Sequence, residues 1–584
     1  MSSDSEHPEP SGPSGPLFSG GQPTEHSAPS AGPSEPPNTV FNPLTGDTVL
    51  PPKAEPLARP EPWGEGVELA SRLDRWAEWL GDHLNPLLVK EVRQALKSRW
   101  FATMFGLLLC FAWGASLIGL AAMGPDVAWE ARGPNMFYVY YLALAFALLV
   151  VVPYGAFRSL AVEQEDHTYE LLAITALGPR QIVAGKLASA VMQMLIYLSV
   201  LMPCLAFTYL LRGIDLPTIA IVIVWTAGGS LVLSAAGLLL GSVSLQRVPQ
   251  AVVSVGAVVG LFIVFGYACV MAEMMLARGW WEPAGLDLWI FTLAAATIGA
   301  SYFALFLLAA AAQVSFASEN RSTPLRVVVF VQFLLWTGWF GWLWISQERA
   351  GDVLFVYAAV AGANWYATGI FFAAESPRLS LRVRRRLPQS FLGRVLFTWF
   401  NPGPGTGLMF SVGGALTVWL LTELAARWSS TWIPDTLRMF CAAGVAYLAI
   451  YLGAEVLILR LLRRFVAVGV NTGLVVHLLL VLFGAALPSI LSLVLYPTVD
   501  YGPLHFLNYF YTLPMIAVDS RRLLAAPLVE FLAGAAAVVL GLNLPGVVRE
   551  IAQVRIAAPA RVVEEEQAGR PELPVHSARE SPWD

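Results

Sequence analysis

The residues best placed to do chemistry are carboxylates, four of which, Glu163, Glu165, Asp166 and Glu170, fall within eight positions. On a helix, Glu163, Asp166 and Glu170 stand at i, i+3 and i+7 and so share one face. A plainly solvated face is one reading, since carboxylates in water carry no penalty. The other is a docking surface: a basic partner would relieve their mutual repulsion and fix the orientation of contact. Upstream, NPLLVKEVRQALKSRWF puts Lys90, Arg93 and Lys97 along one helical face, with Glu91 beside Lys90. Leu84, Leu87, Leu88, Val92 and Leu96 recur on the other face, the pattern of a helix lying along a membrane surface.

Several chemistries are excluded. No G-x-x-x-x-G-K-S/T loop is present; in the nearest stretch, Gly178 to Lys186, six residues separate the glycines and Leu187 follows the lysine. Any ATP and Mg would therefore have to be bound by another chain. Neither H-E-x-x-H nor G-x-S-x-G occurs, so no hydrolase of those types is expected. Cys110, Cys204, Cys269 and Cys441 lie apart in apolar runs, without metal-ligand or disulfide spacing. Neither a metal nor a resident cofactor is expected. A net charge of −5 gives no basic footprint for nucleic acid.

The elements that must position these residues are membrane spans. Of 584 residues, 56% are hydrophobic and 13% charged, and the mean hydropathy is +0.60. A soluble domain carries about 25% charge, so lipid must cover the excess apolar surface. Stretches of about 20 apolar residues are long enough to cross hydrocarbon. About twelve are found, near 100–123, 136–157, 186–211, 217–244, 251–278, 288–316, 326–346, 353–374, 405–424, 438–461, 465–495 and 522–543. The expected fold is all-α and polytopic. Residues 1–65 hold fifteen of the 40 prolines and read as a disordered tail. No basic segment followed by an apolar one opens the chain, so the first span is expected to do the targeting.

Placing the N-terminus inside puts most of the 36 Lys and Arg on the inner side, including the block Arg378, Arg382, Arg384, Arg385, Arg386 and Arg394. Both termini are then cytoplasmic. Trp280 and Trp281, and the run Tyr501, Phe506, Tyr509, Phe510 and Tyr511, are expected in outer interfacial belts. Gly237 with Gly241, and Gly256 with Gly260, have GxxxG spacing, read as ordinary close packing. Among ionisable residues in the spans, Glu273 and Glu455 fall near predicted ends. His477 and Glu530 fall deeper and are candidates for a translocation path.

The pattern E-x-E-x-x-T-x-E-L-L-x-x-T formed by Glu163, Glu165, Thr168, Glu170, Leu171, Leu172 and Thr175, followed by Gly185-Lys186, resembles the loop after the second span of ABC-2 type transporter permeases. The upstream NPLLVKEVRQALKSRWF, with Lys90, Glu91, Arg93 and Lys97, looks like their N-terminal elbow helix. His167 and Ala176 depart from the usual Gly and Pro. The resemblance covers residues 80–320. It implies an exporter's permease subunit in a bacterial plasma membrane that docks a separate ATP-binding cassette subunit through residues 158–185 and is not itself an enzyme.

The chain divides accordingly into the tail 1–65, an elbow region 66–99, an ABC-2-like domain 100–320, a second six-helix region 321–543 and a polar cytoplasmic tail 544–584. The loop of the second half is basic and lacks the acidic motif, so the halves are not plain repeats. Pairing of two chains is expected ahead of an internal pseudo-dimer. An ion-coupled twelve-helix secondary transporter is the competing reading, although G-x-x-x-D-R-x-G-R-R is absent between spans two and three. A non-transport membrane scaffold is a third.

Overall fold

The computed structural model describes residues 40–41, 48–49, 86–123, 132–165, 178–243, 247–278, 286–316, 319–377, 379–385, 388, 390, 392–393, 397–428, 435–466, 468–495, 501–518 and 525–553. Two compact units divide the chain, Met1–Ala77 and Glu78–Asp584. In the first, Val40–Phe41 pairs antiparallel with Thr48–Val49. The rest of the N-terminal tail and the tail beyond residue 553 lie outside the described residues.

The second unit is all-α. An elbow helix, Pro86–Lys97, precedes twelve helices long and apolar enough to cross a membrane. Spans 1–6 are Arg99–Ala122, Gly133–Glu163, Pro179–Leu210, Leu216–Val243, Gln250–Leu276 and Leu286–Val314. Spans 7–12 are Thr323–Ser346, Gly351–Ala373, Pro404–Ala426, Asp435–Leu462, Val470–Leu495 and Ala526–Ile551. The chain is therefore a multi-pass membrane protein. Helices are required because lipid offers backbone groups no partner, so each segment must satisfy its own.

Local sequence sets the ends. Gly178 is extended and Pro179 opens span 3, as expected where proline lacks a donor that a first helical residue would not use. The Ser98 hydroxyl accepts the Phe101 N–H at 3.1 Å, breaking the elbow helix from span 1. Proline does not end span 12. Its helix Ala525–Ile551 contains Pro545 and ends eight residues beyond the expected end at 543. Asn543 holds this stretch by donating to the Gly453 carbonyl at 3.0 Å, and Val547 is buried.

Each half has its own apolar core, one running from Leu108 to Val314 and the other from Val329 to Ala536. Their wiring matches. In both halves the fourth helix packs on the second, third, fifth and sixth, the third on the sixth, and the second on the fifth. Span 4 approaches span 2 closely: a Cβ at Gly237 would lie 2.7 Å from the Pro153 carbonyl, and one at Gly241 2.6 Å from that of Phe157. Gly256 and Gly260 have nothing within 4 Å, so only the first GxxxG pair makes such a contact.

Two spans loosen into π-turns, Ala147–Val151 in span 2 and Leu482–Ala486 in span 11. A side chain meets a carbonyl in each. Ser230 donates to Leu148 at 2.6 Å, and Asn508 to Ala485 at 3.2 Å. Between the halves, Tyr302 donates to Asn364 at 2.9 Å and Asn471 to the Val243 carbonyl at 2.7 Å.

Candidate functional site

Three buried polar clusters stand out in the second unit. The first is built on Lys186, in the third turn of span 3, with 1% of its surface exposed. Its ammonium donates to Glu163 at 2.7 Å, to the Ser159 carbonyl at 3.1 Å and to Glu91 at 3.4 Å. Three partners match the three protons of an ammonium. They tie the elbow helix, the end of span 2 and the start of span 3 to one charge.

This geometry refines the sequence reading. Glu163 is partly buried and turned to Lys186, and Glu91 is buried, while Lys90, Arg93 and Lys97 remain exposed on the other face of the elbow helix. The helix of span 2 runs on to Glu165. Asp166, Thr168, Glu170, Leu171, Leu172 and Thr175, and the side chain of Glu165, lie outside the described residues.

The second cluster surrounds Arg326, at the start of span 7 and fully buried. One guanidinium nitrogen donates to the Trp399 carbonyl at 2.7 Å and to Thr406 at 3.2 Å. The other donates to Glu375 at 2.7 Å and to the Gly403 carbonyl at 3.0 Å. Phe372 and Phe410 lie against it, 5.1 and 5.9 Å from ring centres. Glu550 accepts the N–H groups of Gly405 and Thr406 at 3.1 and 2.9 Å, putting a carboxylate at the positive end of the span 9 helix. Just past span 10, Arg463 donates to the Ala374 carbonyl at 3.2 Å. Burial chiefly pushes its pKa below the ordinary guanidinium value, with Arg460 adding and Glu550 opposing.

The third cluster joins spans 8, 10 and 11. Glu455 and His477 meet at 2.8 Å, and the other imidazole nitrogen lies 2.9 Å from the Tyr366 hydroxyl. Tyr366 donates to Tyr509 at 3.4 Å. This corrects two expectations. Glu455 does not reach an interface: it is fully buried, because its face of span 10 packs inward with Leu452 and Leu459. Glu530 does not lie deep in its span. It is exposed at the fifth residue of span 12, on the face opposite the buried Leu528 and Leu532. Glu273 is exposed near the end of span 5, as expected.

The aromatic run after span 11 also differs from an interfacial belt. Tyr447 and Tyr451, near the middle of span 10, donate to the carbonyls of Phe506 and Leu507 at 2.5 and 2.6 Å. The segment 501–518 thus folds back to mid-span depth. A 3-10 turn, Pro503–Leu507, and a short helix, Tyr509–Val518, make up most of it, and protein groups hold their junction: Asn508 also donates to Ser489 at 2.9 Å, and His505 meets Ser492 at 3.1 Å. Hydroxyl and imidazole partners inside the bundle are what an interface would not have supplied. Trp280 and Trp281 lie outside the described residues.

These features define a twelve-helix, transporter-like membrane protein with buried charge at one end of each half. No family model, curated protein or solved structure matches the chain.

Proposed function

We propose that the chain is the membrane permease of an ATP-driven exporter in a bacterial plasma membrane, with both termini cytoplasmic. A separate ATP-binding cassette subunit binds ATP and Mg and docks on residues 158–185; the chain itself is not an enzyme and holds no cofactor. The observation that carries this reading is the Lys186 clasp. It fastens the elbow helix and spans 2 and 3 at the two roots of the acidic loop. A push on that loop then reaches all three elements, which is what a coupling element needs: contacts that differ between two states.

Glu163 and Glu91 hold the clasp in this account, leaving Glu165, Asp166, Thr168, Glu170, Leu171, Leu172 and Thr175 to face the partner. The matched wiring of the halves supports an internal pseudo-dimer over pairing of two chains.

The test is co-purification from native membranes under mild solubilisation. The intact chain should bring down an ATP-binding protein, and Asp166→Lys with Glu170→Lys should weaken the association at least tenfold while the fold persists. Unchanged association with both charges reversed overturns the docking assignment.

A further inference from the structure

The acidic group that the membrane isolates most completely is not part of the Lys186 clasp. Glu455 is fully buried, and its bonding is incomplete. One carboxylate oxygen meets His477, while the other is buried without a hydrogen-bond partner, 3.4 Å from where a Cβ on Gly473 would lie. Two partly buried carboxylates nearby differ: Glu375 takes Arg326 and the Gly403 N–H, and Glu550 takes two backbone N–H groups, one on each oxygen. Glu455 has room for a proton.

The hydrogen bonds count that proton. Tyr366 donates to Tyr509, so its oxygen accepts from His477, whose Nε2 must carry hydrogen. The Nδ1 to Glu455 contact then holds one further proton, placed on the carboxyl, since two opposite charges this deeply buried would each lack solvation. Removing it would leave a buried carboxylate facing an imidazole lone pair, with nothing to solvate either. Other titratable groups on the packed elements are accounted for. Tyr366 on span 8 and Tyr451 on span 10 lie against the imidazole, and Tyr509 on the folded-back segment lies against both tyrosines. Further along, Arg460 is held by Asn543, Arg463 by the Ala374 carbonyl, and Glu375 by Arg326.

We propose that Glu455 and His477 form a proton-binding site inside the second half, and that the Tyr366–Tyr509 contact couples its occupancy to the folded-back segment 501–518. Loaded, the pair is neutral overall and Nε2–H holds Tyr366 in place to donate to Tyr509. Unloaded, the excess negative charge draws the Nε2 hydrogen to the carboxylate side through tautomer exchange. Tyr366 must then donate to His477 and releases Tyr509. The ligand is a proton alone, and the inference does not depend on the ATPase assignment.

The test uses the full chain in lipid nanodiscs. Infrared difference spectra and hydrogen exchange of residues 501–518 are recorded across a pH series. A protonated-carboxyl signal should rise as pH falls and be absent in Glu455→Gln. Protection of 501–518, with the intrinsic pH dependence of amide exchange divided out, should rise with the same midpoint as pH falls, and in Glu455→Gln should lose its pH dependence. Tyr366→Phe, which keeps the ring, should retain the carboxyl signal but cut the pH-dependent change in exchange at least threefold. Should Glu455→Gln not fold, the wild-type titration and Tyr366→Phe still decide. A carboxyl signal unchanged in Glu455→Gln, or protection of 501–518 that ignores pH in the wild type, overturns the proposal.

Discussion

At the end of the second helix of each half a carboxylate meets a buried cation, Lys186 for Glu163 and Arg326 for Glu375, yet the two cations are bonded differently. Lys186 is a point charge on a flexible stem, shared between two carboxylates from different elements, one of them at 3.4 Å. Arg326 is a planar fork set on two carbonyls, a hydroxyl and a carboxylate, against two aromatic rings. The first arrangement can exchange partners; the second holds one geometry. The same wiring of helices thus ends in a joint on one side and a lock on the other. Only the joint adjoins the acidic loop.

The comparison breaks first at the lock. Arg326→Met should cost about 3–5 kcal/mol by leaving Glu375 buried without its cation, read as a large drop in thermal unfolding temperature in nanodiscs. Arg326→Lys should recover little, because one ammonium cannot span those partners. Lys186→Met should fall at the lower end, about 3 kcal/mol, since Glu163 keeps some access to water. Lys186→Arg, unlike its counterpart, should fold and keep elbow and span 3 cross-linkable.

Gly241→Val should cost about 1–3 kcal/mol by forcing span 4 off the Phe157 carbonyl, whereas Gly260→Val, in open space, should change stability little. Glu550→Gln should cost about 1–3 kcal/mol. The amide keeps one oxygen for one of the two N–H groups of span 9, while the other N–H loses its acceptor and the charge is gone.

Much of the fold was legible because its signal is length and hydropathy: all twelve spans lie close to where the apolar runs placed them. Span 12 ran on past Pro545 because tertiary partners of Asn543 and Val547 outweigh a local stop signal. The Glu455–His477 pair was hidden by treating each residue against its own span. Yet the two lie seven residues from the ends of adjacent helices that share a short loop, Leu462 and Val470, which puts them at equal depth. That spacing was a usable signal.

The folded-back segment was not legible. Aromatic residues with hydroxyl groups suit an interface and a polar interior equally well, and only the tyrosines of span 10 distinguish the two. Nor does the sequence reveal that Glu163 turns inward, since its acidic neighbours share its helical spacing.

The central claim is that a separate ATPase works on the loop beside the Lys186 clasp. Its most direct test is to purify the chain from its native membrane with whatever it holds, and to measure ATP hydrolysis. The account predicts a co-purifying ATP-binding subunit whose activity falls when Asp166 and Glu170 are both changed to Lys. A preparation with no ATP-binding subunit, or with ATPase activity indifferent to that loop, contradicts it.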